Sequence, residues 1–391
     1  MPNYKYLIIG GGMTADAAIE GIREVDPNGS IGLICAESHP PYNRPPLSKG
    51  LWKGKPLETI FRKSSQENAQ IHLGTMVESI DPKNKMAKDS RGQTYNYEKL
   101  LLATGGSPRE LPFGSEDIIY FRNLDNFHRL HALMEKNARF AVIGGGFIGS
   151  ELAAALRDQG QEVVMLFPEE GIGSLLFPSD LAIYLNDYYR QKGVEVLAGE
   201  LVNGFEKQNG QIILKTKSGQ DVLVDHVIAG IGIIPNTSLA ESVGIEVANG
   251  IVVNEFMQTN LEDIYAAGDV ANIYNPTLDM RVRVEHEDNA LSGGKTAGRN
   301  MAGDSTPYEH LSYFYSDLFE LGYEAVGELN SKLETYADWQ EPYQKGIVYY
   351  LDQGRLRGIL LWNVWDQVEP ARKLIAEPGI FTNEQLQGRL P

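Results

Sequence analysis

The chain has 391 residues, which at about 150 residues per domain predicts two or three domains. Its 35 basic and 52 acidic residues give a net charge of −17, and such a field repels nucleic acid and anionic membranes. We therefore expect no nucleic-acid partner. The absence of a long apolar run and of a signal-peptide pattern predicts no membrane span and a cytoplasmic location.

Cysteine usage restricts the redox chemistry open to this chain. Cys35 is the only cysteine in the sequence, so neither an intramolecular disulfide nor a CxxC redox pair can form. It lies in the apolar run 31–36, a position that favours a buried hydrophobic role over a reactive thiol. A peroxide- or oxygen-reducing oxidase needs a sulfur nucleophile, and this position disfavours that activity.

The first strand is followed by a glycine-rich turn and a helix. A short apolar run at 6–9 predicts a buried parallel strand, residues 13–25 a helix, and residues 31–35 a second strand. The turn reads Gly10-x-Gly12-x-x-Ala15, the pattern that lets a backbone approach a pyrophosphate at a helix N-terminus. Glu37, at the end of the second strand, is placed to bind ribose hydroxyls. The alternative is a tight turn without a ligand.

The same pattern recurs 134 residues later. A strand at 140–143 leads into Gly144-x-Gly146-x-x-Gly149, then a helix at 147–159 and a strand at 162–167. Glu169 follows that strand and can bind a ribose, while residues 163–173 include no Lys or Arg for a 2′-phosphate. This second unit is therefore predicted to bind NAD(H) rather than NADP(H).

Further strand ends and a change in sequence pattern divide the chain into three predicted domains. Strands at 100–103 and 264–267 each run into glycine, and after about residue 307 aromatic, alternating segments at 346–351 and 356–362 predict antiparallel strands, with a last helix near 369–376. The predicted class is α/β, with two Rossmann-like domains and a C-terminal α+β domain. We assign 1–123 and 253–306 to FAD binding, 124–252 to NAD(H) binding and 307–391 to the C-terminal interface domain.

Several segments together resemble one enzyme family. They are PYNRPPLSK (41–49), LLATGGSPR (101–109), GGGFIGSEL (144–152), LFPEEG (166–171), IYAAGDVA (264–271), RVEHEDNALSGG (283–294), YSDLFELGYEAVG (315–327) and GILLWN (358–363). Together they are similar to the FAD-dependent pyridine nucleotide reductases without a redox disulfide, the ferredoxin reductase-like enzymes. Within that family the chain looks most similar to the apoptosis-inducing factors.

The resemblance implies roles for matching residues. Lys49 is expected at the N5/O4 edge of the flavin, paired with Glu151, with Phe147 shielding the flavin and His286 above it; these four are the predicted catalytic residues. A cation near N5/O4 would stabilise negative charge on the flavin. The other positions implied to line the cofactors are Arg44, Val77, Thr104, Gly105, Arg109, Arg122, Gly268, Asp269, Glu285 and Tyr315 for FAD, and Gly232 for NAD.

Simpler roles exist for several of these residues. Lys49 could be a solvated surface lysine, and Glu151 a helix acid favoured by the helix dipole. Phe147 could serve only helix–sheet packing, and His286 could be a buried histidine with satisfied hydrogen bonds. Any strand valine would look like Val77.

Two departures from the family pattern bear on function. The family usually has Trp where Tyr315 stands, which implies different stacking beside the flavin. The chain also passes directly from 337 to 347, where the mammalian apoptosis-inducing factors have a long insertion, and it shows no mitochondrial leader. Both points, with the acidic charge, argue against a DNA-binding role.

The leading hypothesis is an NADH-dependent flavoprotein reductase that needs no metal. Electrons pass from NADH to FAD and on to an unidentified acceptor, such as a ferredoxin-like protein, a quinone or a small oxidant. The alternative is a redox-sensing flavoprotein whose reduced FAD–NAD complex controls dimerisation or partner binding. Homodimers occur among the resembling proteins, and the sequence leaves the oligomeric state open.

Overall fold

The chain folds into two compact units in a computed structural model that describes residues 1–63, 68–114, 116–134 and 138–391. The first unit comprises Met1–Arg44, Pro56–Ser107 and Ile234–Ser312, and the second comprises Pro45–Lys55, Pro108–Ile233 and Tyr313–Pro391. Among the described residues, no helix has the length and apolar character needed to cross a membrane.

The described residues form strands and helices whose bounds are as follows. The strands are β1 (Asn3–Ile9), β2 (Ile31–Ile34), β3 (Ala69–His72), β4 (Val77–Asp81), β5 (Met86–Asp89), β6 (Thr94–Leu102), β7 (Gly106–Pro108), β8 (Ile118–Tyr120), β9 (Arg139–Ile143), β10 (Glu162–Phe167), β11 (Glu195–Ala198), β12 (Val202–Gln208), β13 (Gln211–Thr216), β14 (Asp221–Val224), β15 (His226–Ala229), β16 (Ile233–Pro235), β17 (Ile251–Val252), β18 (Ile264–Ala266), β19 (Ala271–Asn275), β20 (Met280–Val282), β21 (Tyr313–Leu318), β22 (Leu321–Gly327), β23 (Glu334–Glu341), β24 (Lys345–Asp352) and β25 (Arg355–Trp362). The helices are α1 (Met13–Val25), α2 (Leu124–Ala132), α3 (Phe147–Asp158), α4 (Ser179–Gln191), α5 (Ser238–Glu241), α6 (Glu287–Met301), α7 (Val368–Ala376) and α8 (Asn383–Leu386).

The first unit is built on a mainly parallel sheet. Its strands run in the order β3-β2-β1-β6-β5-β4, and β18 also pairs with β6. Strands β1, β2, β3, β6 and β18 are mutually parallel, whereas β4 and β5 add an antiparallel edge. β2 is buried throughout and β1 is buried from Tyr6 to Ile9, as parallel strands covered on both faces require.

Helices α1 and α6 of the first unit pack with very close backbones. A Cβ atom added to Gly294 would lie 2.3 Å from the Thr14 carbonyl oxygen, and one added to Gly298 would lie 2.1 Å from the Ala18 carbonyl oxygen. Only glycine permits this approach, because any side chain there would overlap the α1 backbone. The helix that follows the first glycine turn is therefore held by a segment from much later in the chain.

The described residues of the second unit form three sheets of three or more strands. A parallel sheet has the order β11-β10-β9-β15-β8, a three-stranded antiparallel sheet has the order β12-β13-β14, and the C-terminal residues form an antiparallel sheet of order β21-β22-β25-β24-β23. The predicted α/β class with a C-terminal sheet domain is therefore confirmed. The three-domain boundaries stay a prediction; β8 lies at the edge of the β9-containing sheet although the assigned range 1–123 places it with FAD binding.

Local patterns predicted several elements to within one or two residues. The helices at 13–25 and 147–159 are observed as α1 and α3, and the strand at 162–167 is observed as β10. The helix predicted near 369–376 is observed as α7, but it is not the last helix, because the short helix α8 follows it. Thr382 and Gln385 form a capping box that starts α8.

Candidate active site

The first glycine turn forms an open cradle at the N-terminus of α1. Gly10 has a φ of 125°, and a Cβ there would lie 2.0 Å from the Ala103 carbonyl oxygen, so no other residue fits. A Cβ on Gly12 would meet no atom within 4 Å, and Gly12 places no capping side chain over the first helical N–H groups. The turn thus leaves free space and unshielded donors where a pyrophosphate would lie.

The second glycine turn repeats this geometry at α3. Gly144 has a φ of 112° and lies against the Gly230 carbonyl, whereas the Cβ position of Gly146 is open to at least 4 Å. A Cβ on Gly149 would lie 1.9 Å from the Gly144 carbonyl oxygen, so the third glycine permits close packing of α3 on the turn. Each cradle therefore fits the phosphates of one dinucleotide.

Glu37 lies three residues after the end of β2 and belongs to a hydrogen-bonded group of three side chains. Its carboxylate accepts a 2.6 Å hydrogen bond from the Tyr42 hydroxyl and a 2.5 Å hydrogen bond from Arg44 Nη2. The guanidinium of Arg44 also lies 5.2 Å from the centroid of the Tyr42 ring. Two predicted site residues, Glu37 and Arg44, are thus brought together, and Tyr42 is a member of the group that the sequence did not reveal.

Lys49 and Glu151 form a buried ion pair in the second unit. The Nζ–Oε1 distance is 2.5 Å, and the side chains are 13% and 4% exposed. The Glu151 carboxylate also accepts 2.6 Å hydrogen bonds from the hydroxyls of Ser48 and Ser316. Three donors around one carboxylate fix its orientation.

The pKa values of two buried tyrosines are raised near this carboxylate. Burial, and to a lesser degree the negative charge of Glu151, raises the pKa of Tyr189 and of Tyr323 well above the usual value. Both phenols are therefore neutral at physiological pH. The cation that pairs with Glu151 is Lys49.

Aromatic side chains lie beside the ion pair. Lys49 Nζ is 5.2 Å from the centroid of Tyr315, which is 37% exposed. Phe147, at the start of α3, packs edge-to-face on Phe314 with ring centroids 5.1 Å apart. Phe314 in turn packs edge-to-face on Tyr323. Predicted residues Lys49, Glu151, Phe147 and Tyr315 thus belong to one part of the second unit.

Thr104 and Gly105 of the first unit are both fixed by Asn236. The Thr104 hydroxyl donates to the Asn236 carbonyl at 2.7 Å, and the Asn236 side chain donates back to the Thr104 carbonyl at 2.9 Å. The Asn236 N–H donates to the Gly105 carbonyl. Asn236, in the segment GIGIIPN, was missed because its role depends on a partner 132 residues away.

The remaining predicted residues of the first unit lie around the start of α6 and on β4. Gly268 has a φ of 76°, and a Cβ there would lie 2.2 Å from Thr14 Oγ1. Arg283 donates to the Asp269 carbonyl and forms a 2.7 Å ion pair with Glu285. His286 is the N-cap residue of α6, and Val77 is buried at the start of β4.

Arg109, Gly232, Arg122 and Glu169 occupy the second unit. The Arg109 N–H donates to the Gly232 carbonyl at 2.9 Å, which joins a residue predicted to bind FAD to one predicted to bind NAD. The Arg122 N–H donates to the side chain of Asn126, which forms the capping box of α2 with the N-cap residue Asn123. Glu169, partly exposed, follows β10. The cofactor contacts of all these residues stay predictions.

Cys35 is a buried neutral thiol. Its side chain is 1% exposed, and burial, with the nearby Glu37 charge, raises its pKa to about 11. A Cβ on Gly11 would lie 1.9 Å from its Sγ atom, so the thiol packs directly under the first glycine turn. The structural role predicted from the sequence matches this environment, which contains little thiolate at neutral pH.

Two open cradles in Rossmann-like sheets, together with a lysine–glutamate pair and no dithiol, define a flavoprotein that takes FAD and a nicotinamide dinucleotide. Comparison with known proteins agrees. Residues 4–294 match the family described as pyridine nucleotide-disulphide oxidoreductase, and residues 297–341 and 336–377 match the C-terminal domain of apoptosis-inducing factor, mitochondrion-associated. The chain belongs to the pyridine nucleotide-disulphide oxidoreductases.

Three similar proteins illustrate this membership. "Apoptosis-inducing factor 1, mitochondrial" from Dictyostelium discoideum is 35% identical over 95% of this chain and 78% of its own length. Monodehydroascorbate reductase from Pisum sativum is 32% identical over 92% of this chain and 90% of its own. A chain of the crystal structure of the covalent putidaredoxin reductase–putidaredoxin complex has a TM-score of 0.90 at 29% identity, covering 96% of this chain and 94% of that chain.

Membership of this family confirms several predictions made from the sequence. The resemblance to FAD-dependent pyridine nucleotide reductases is confirmed, as are the cofactors FAD and NAD(H) and the class of NAD(P)H-dependent flavoprotein oxidoreductase. The family name refers to a disulphide, but this chain has a single cysteine and cannot form an intramolecular one.

Proposed function

We propose that the chain oxidises NADH and delivers its electrons, through bound FAD, to a small redox protein. One observation carries the proposal: α3 begins at the open Gly146 cradle and, one turn later, presents Glu151, which holds Lys49 at 2.5 Å. The helix that would bind the pyrophosphate of NAD therefore also fixes the cation that the resemblance assigns to the flavin. When bound, FAD accepts two electrons from NADH and releases them to the acceptor.

The residues around Glu151 supply electrostatic preorganisation. Lys49 is held by a carboxylate that two serine hydroxyls also orient, so the ammonium keeps its position without reorganisation during turnover. Phe147, packed on Phe314, would close over the dinucleotide-binding side of α3 and keep water out.

NADH is the proposed substrate in preference to NADPH. Glu169 and Glu170 follow β10, where the adenosine ribose of a dinucleotide binds in this fold. A carboxylate there binds the two ribose hydroxyls of NADH and repels the 2′-phosphate of NADPH.

A small redox protein is the proposed acceptor. A dithiol relay is excluded by the single buried Cys35, so electrons must leave the flavin directly. The likeness to a chain from a reductase–putidaredoxin complex supports a protein acceptor over a small oxidant. A cytoplasmic location and a homodimer stay predictions.

The test is anaerobic reduction of the purified yellow holoprotein by NADH or NADPH, followed by mixing with a [2Fe–2S] ferredoxin, a quinone, a dye or oxygen. Preferential reduction by NADH and fast reoxidation by the ferredoxin would support the proposal. Failure of NADH to reduce the protein would refute it. NADH-reduced protein that persists against every acceptor would favour the redox-sensing alternative instead.

A further inference from the structure

A cavity of about 150 Å³ lies beside the Lys49–Glu151 pair in the second unit. We call it the α3 groove, and its lining residues are Ser48, Lys49, Trp52, Lys53, Glu151, Ala154, Ala155, Asp158, Gln159, Asp317 and Phe319. Most of these residues are not among the positions predicted to hold a dinucleotide. The groove therefore requires its own explanation.

The groove follows one face of α3. Glu151, Ala154, Ala155 and Asp158 recur at the three- and four-residue spacing that places side chains on the same side of a helix. Glu151 is 4% exposed at one end, and Asp158 is exposed at the other. The groove thus connects the buried carboxylate to the surface of the unit.

Its opposite wall is held firmly against α3. The Trp52 indole N–H donates to the Leu47 carbonyl at 2.7 Å, and Gln159 donates to the Trp52 carbonyl at 2.9 Å. Near the exposed end, Lys53 Nζ lies 3.9 Å from Asp317, with side chains 64% and 41% exposed. These contacts fix the width of the groove while leaving charged groups at its exposed end.

The chemistry of the lining indicates that the groove holds water. An apolar cavity of about 150 Å³ stays dry, whereas a polar cavity larger than roughly 10–15 Å³ can hold water where polar groups bind it. Here Ser48, Lys49 and Glu151 line the buried end, and Lys53, Asp158 and Asp317 line the exposed end. Waters between these groups would have the several hydrogen-bond partners that buried water requires.

We propose that the α3 groove is a water-filled proton path between the Lys49–Glu151 pair and solvent. The proposal rests on the proposed function. Oxidation of one NADH to NAD⁺ yields two electrons and one proton, so delivery of both electrons to one-electron acceptors leaves one proton to be released. Lys49 Nζ and the Glu151 carboxylate are hydrogen-bonded to each other, and together they pass that proton to the groove waters.

The groups facing Glu151 come from several elements. Ser48 and Lys49 precede α3 in the chain, Ser316 lies on β21, Tyr189 on α4 and Tyr323 on β22. Both tyrosines are held neutral, and the serines only relay hydrogen bonds. Lys49 is thus the member of this set that both donates an ammonium hydrogen bond to Glu151 and lines the groove.

The experiment uses the FAD-loaded protein with NADH and excess ferricyanide, an acceptor that binds no proton. Stopped-flow records NADH consumption and, in weak buffer with a pH indicator, proton release. Ala155→Leu fills the middle of the groove and is expected to slow proton release roughly tenfold, and to enlarge the solvent isotope effect, while first-turnover NADH consumption stays within about twofold. Ala132→Leu, at an exposed alanine of α2, is the matched control and should change neither signal.

The outcomes separate the two proposals. Unchanged proton release in Ala155→Leu overturns the proton path, whereas absence of NADH consumption in the wild type overturns the proposed function instead. A high-resolution crystal structure of the wild-type holoprotein gives a second, variant-independent test. A hydrogen-bonded chain of ordered waters from Glu151 to Asp158 would support the path, and a groove without ordered water would refute it.

Discussion

Ser316, on β21, donates a 2.6 Å hydrogen bond to the Glu151 carboxylate on α3, 165 residues earlier in the chain. The C-terminal sheet therefore orients the acid of the helix that begins at the second glycine turn. Both side chains are almost fully buried, so neither can replace the lost partner with bulk water.

Ser316→Ala is expected to destabilise the holoprotein by about 1–3 kcal/mol, because it removes one of three donors to a buried carboxylate. Denaturant unfolding followed by circular dichroism measures the change. Ser242→Ala, at an exposed serine of the first unit, is the control and should stay within about 0.5 kcal/mol. Equal stability of the two variants would contradict the role given to Ser316.

Lys49→Gln is expected to reduce kcat/KM for NADH by about 10²–10³-fold, because it removes the fixed positive charge that Glu151 orients. Steady-state kinetics with ferricyanide and a flavin absorbance spectrum provide the measurement. Lys55→Gln, at an exposed lysine six residues later, should leave both unchanged. Full activity of Lys49→Gln would remove Lys49 from the active site.

Gly12→Ala and Gly146→Ala should separate the two cradles. Both residues have φ near −90° and open Cβ positions, so alanine fits the backbone conformation. Its methyl group would occupy the space where a phosphate is expected to bind. Gly12→Ala is expected to lower the flavin content. Gly146→Ala is expected to keep the flavin and bind NADH about tenfold more weakly, a loss of about 1.4 kcal/mol.

Flavin absorbance and NADH titration measure the two effects. Gly10→Ala is the comparison variant that should fail through the fold itself, because its added Cβ would overlap the Ala103 carbonyl. If Gly146→Ala lost flavin and Gly12→Ala did not, the cofactor assignment of the two cradles would be reversed.

Cys35 is expected to react slowly with alkylating reagents. Its pKa is raised to about 11, so the thiolate fraction at pH 8 is about 10⁻³, and the modification rate should rise as pH approaches 11. Mass spectrometry of iodoacetamide-treated holoprotein across pH 7–10 measures this. Cys35→Ser should leave NADH oxidation within about twofold; a large loss would show that the thiol takes part in the reaction.

Short-range sequence patterns predicted those parts of the site that are formed by residues close together in the chain. The two glycine turns, α1, α3 and β10 follow from spacing and apolar periodicity within about 30 residues, and the structure contains them at the predicted places. The pair of Lys49 with Glu151 came from the family resemblance, because no spacing rule joins residues 102 positions apart.

Long-range partners could not be predicted. Ser48, Ser316, Tyr42 and Asn236 are ordinary polar residues in the sequence, and their roles arise only when the fold brings their partners close. The α3 groove depends in the same way on the packing of the 45–55 segment and β21 against one helix face. The helical spacing of Glu151, Ala154, Ala155 and Asp158 was visible, but nothing local distinguishes a groove wall from a packed face.

The packing of α1 against α6 sets an order of events during synthesis. The backbone contacts of Thr14 and Ala18 are made by Gly294 and Gly298, so the first nucleotide cradle lacks its supporting helix until three quarters of the chain has left the ribosome. The β9–β10–β15 sheet, drawn from a shorter stretch of chain, can close earlier. We therefore expect capture of FAD, which is predicted to bind at this cradle, to be a late step coupled to completion of the polypeptide.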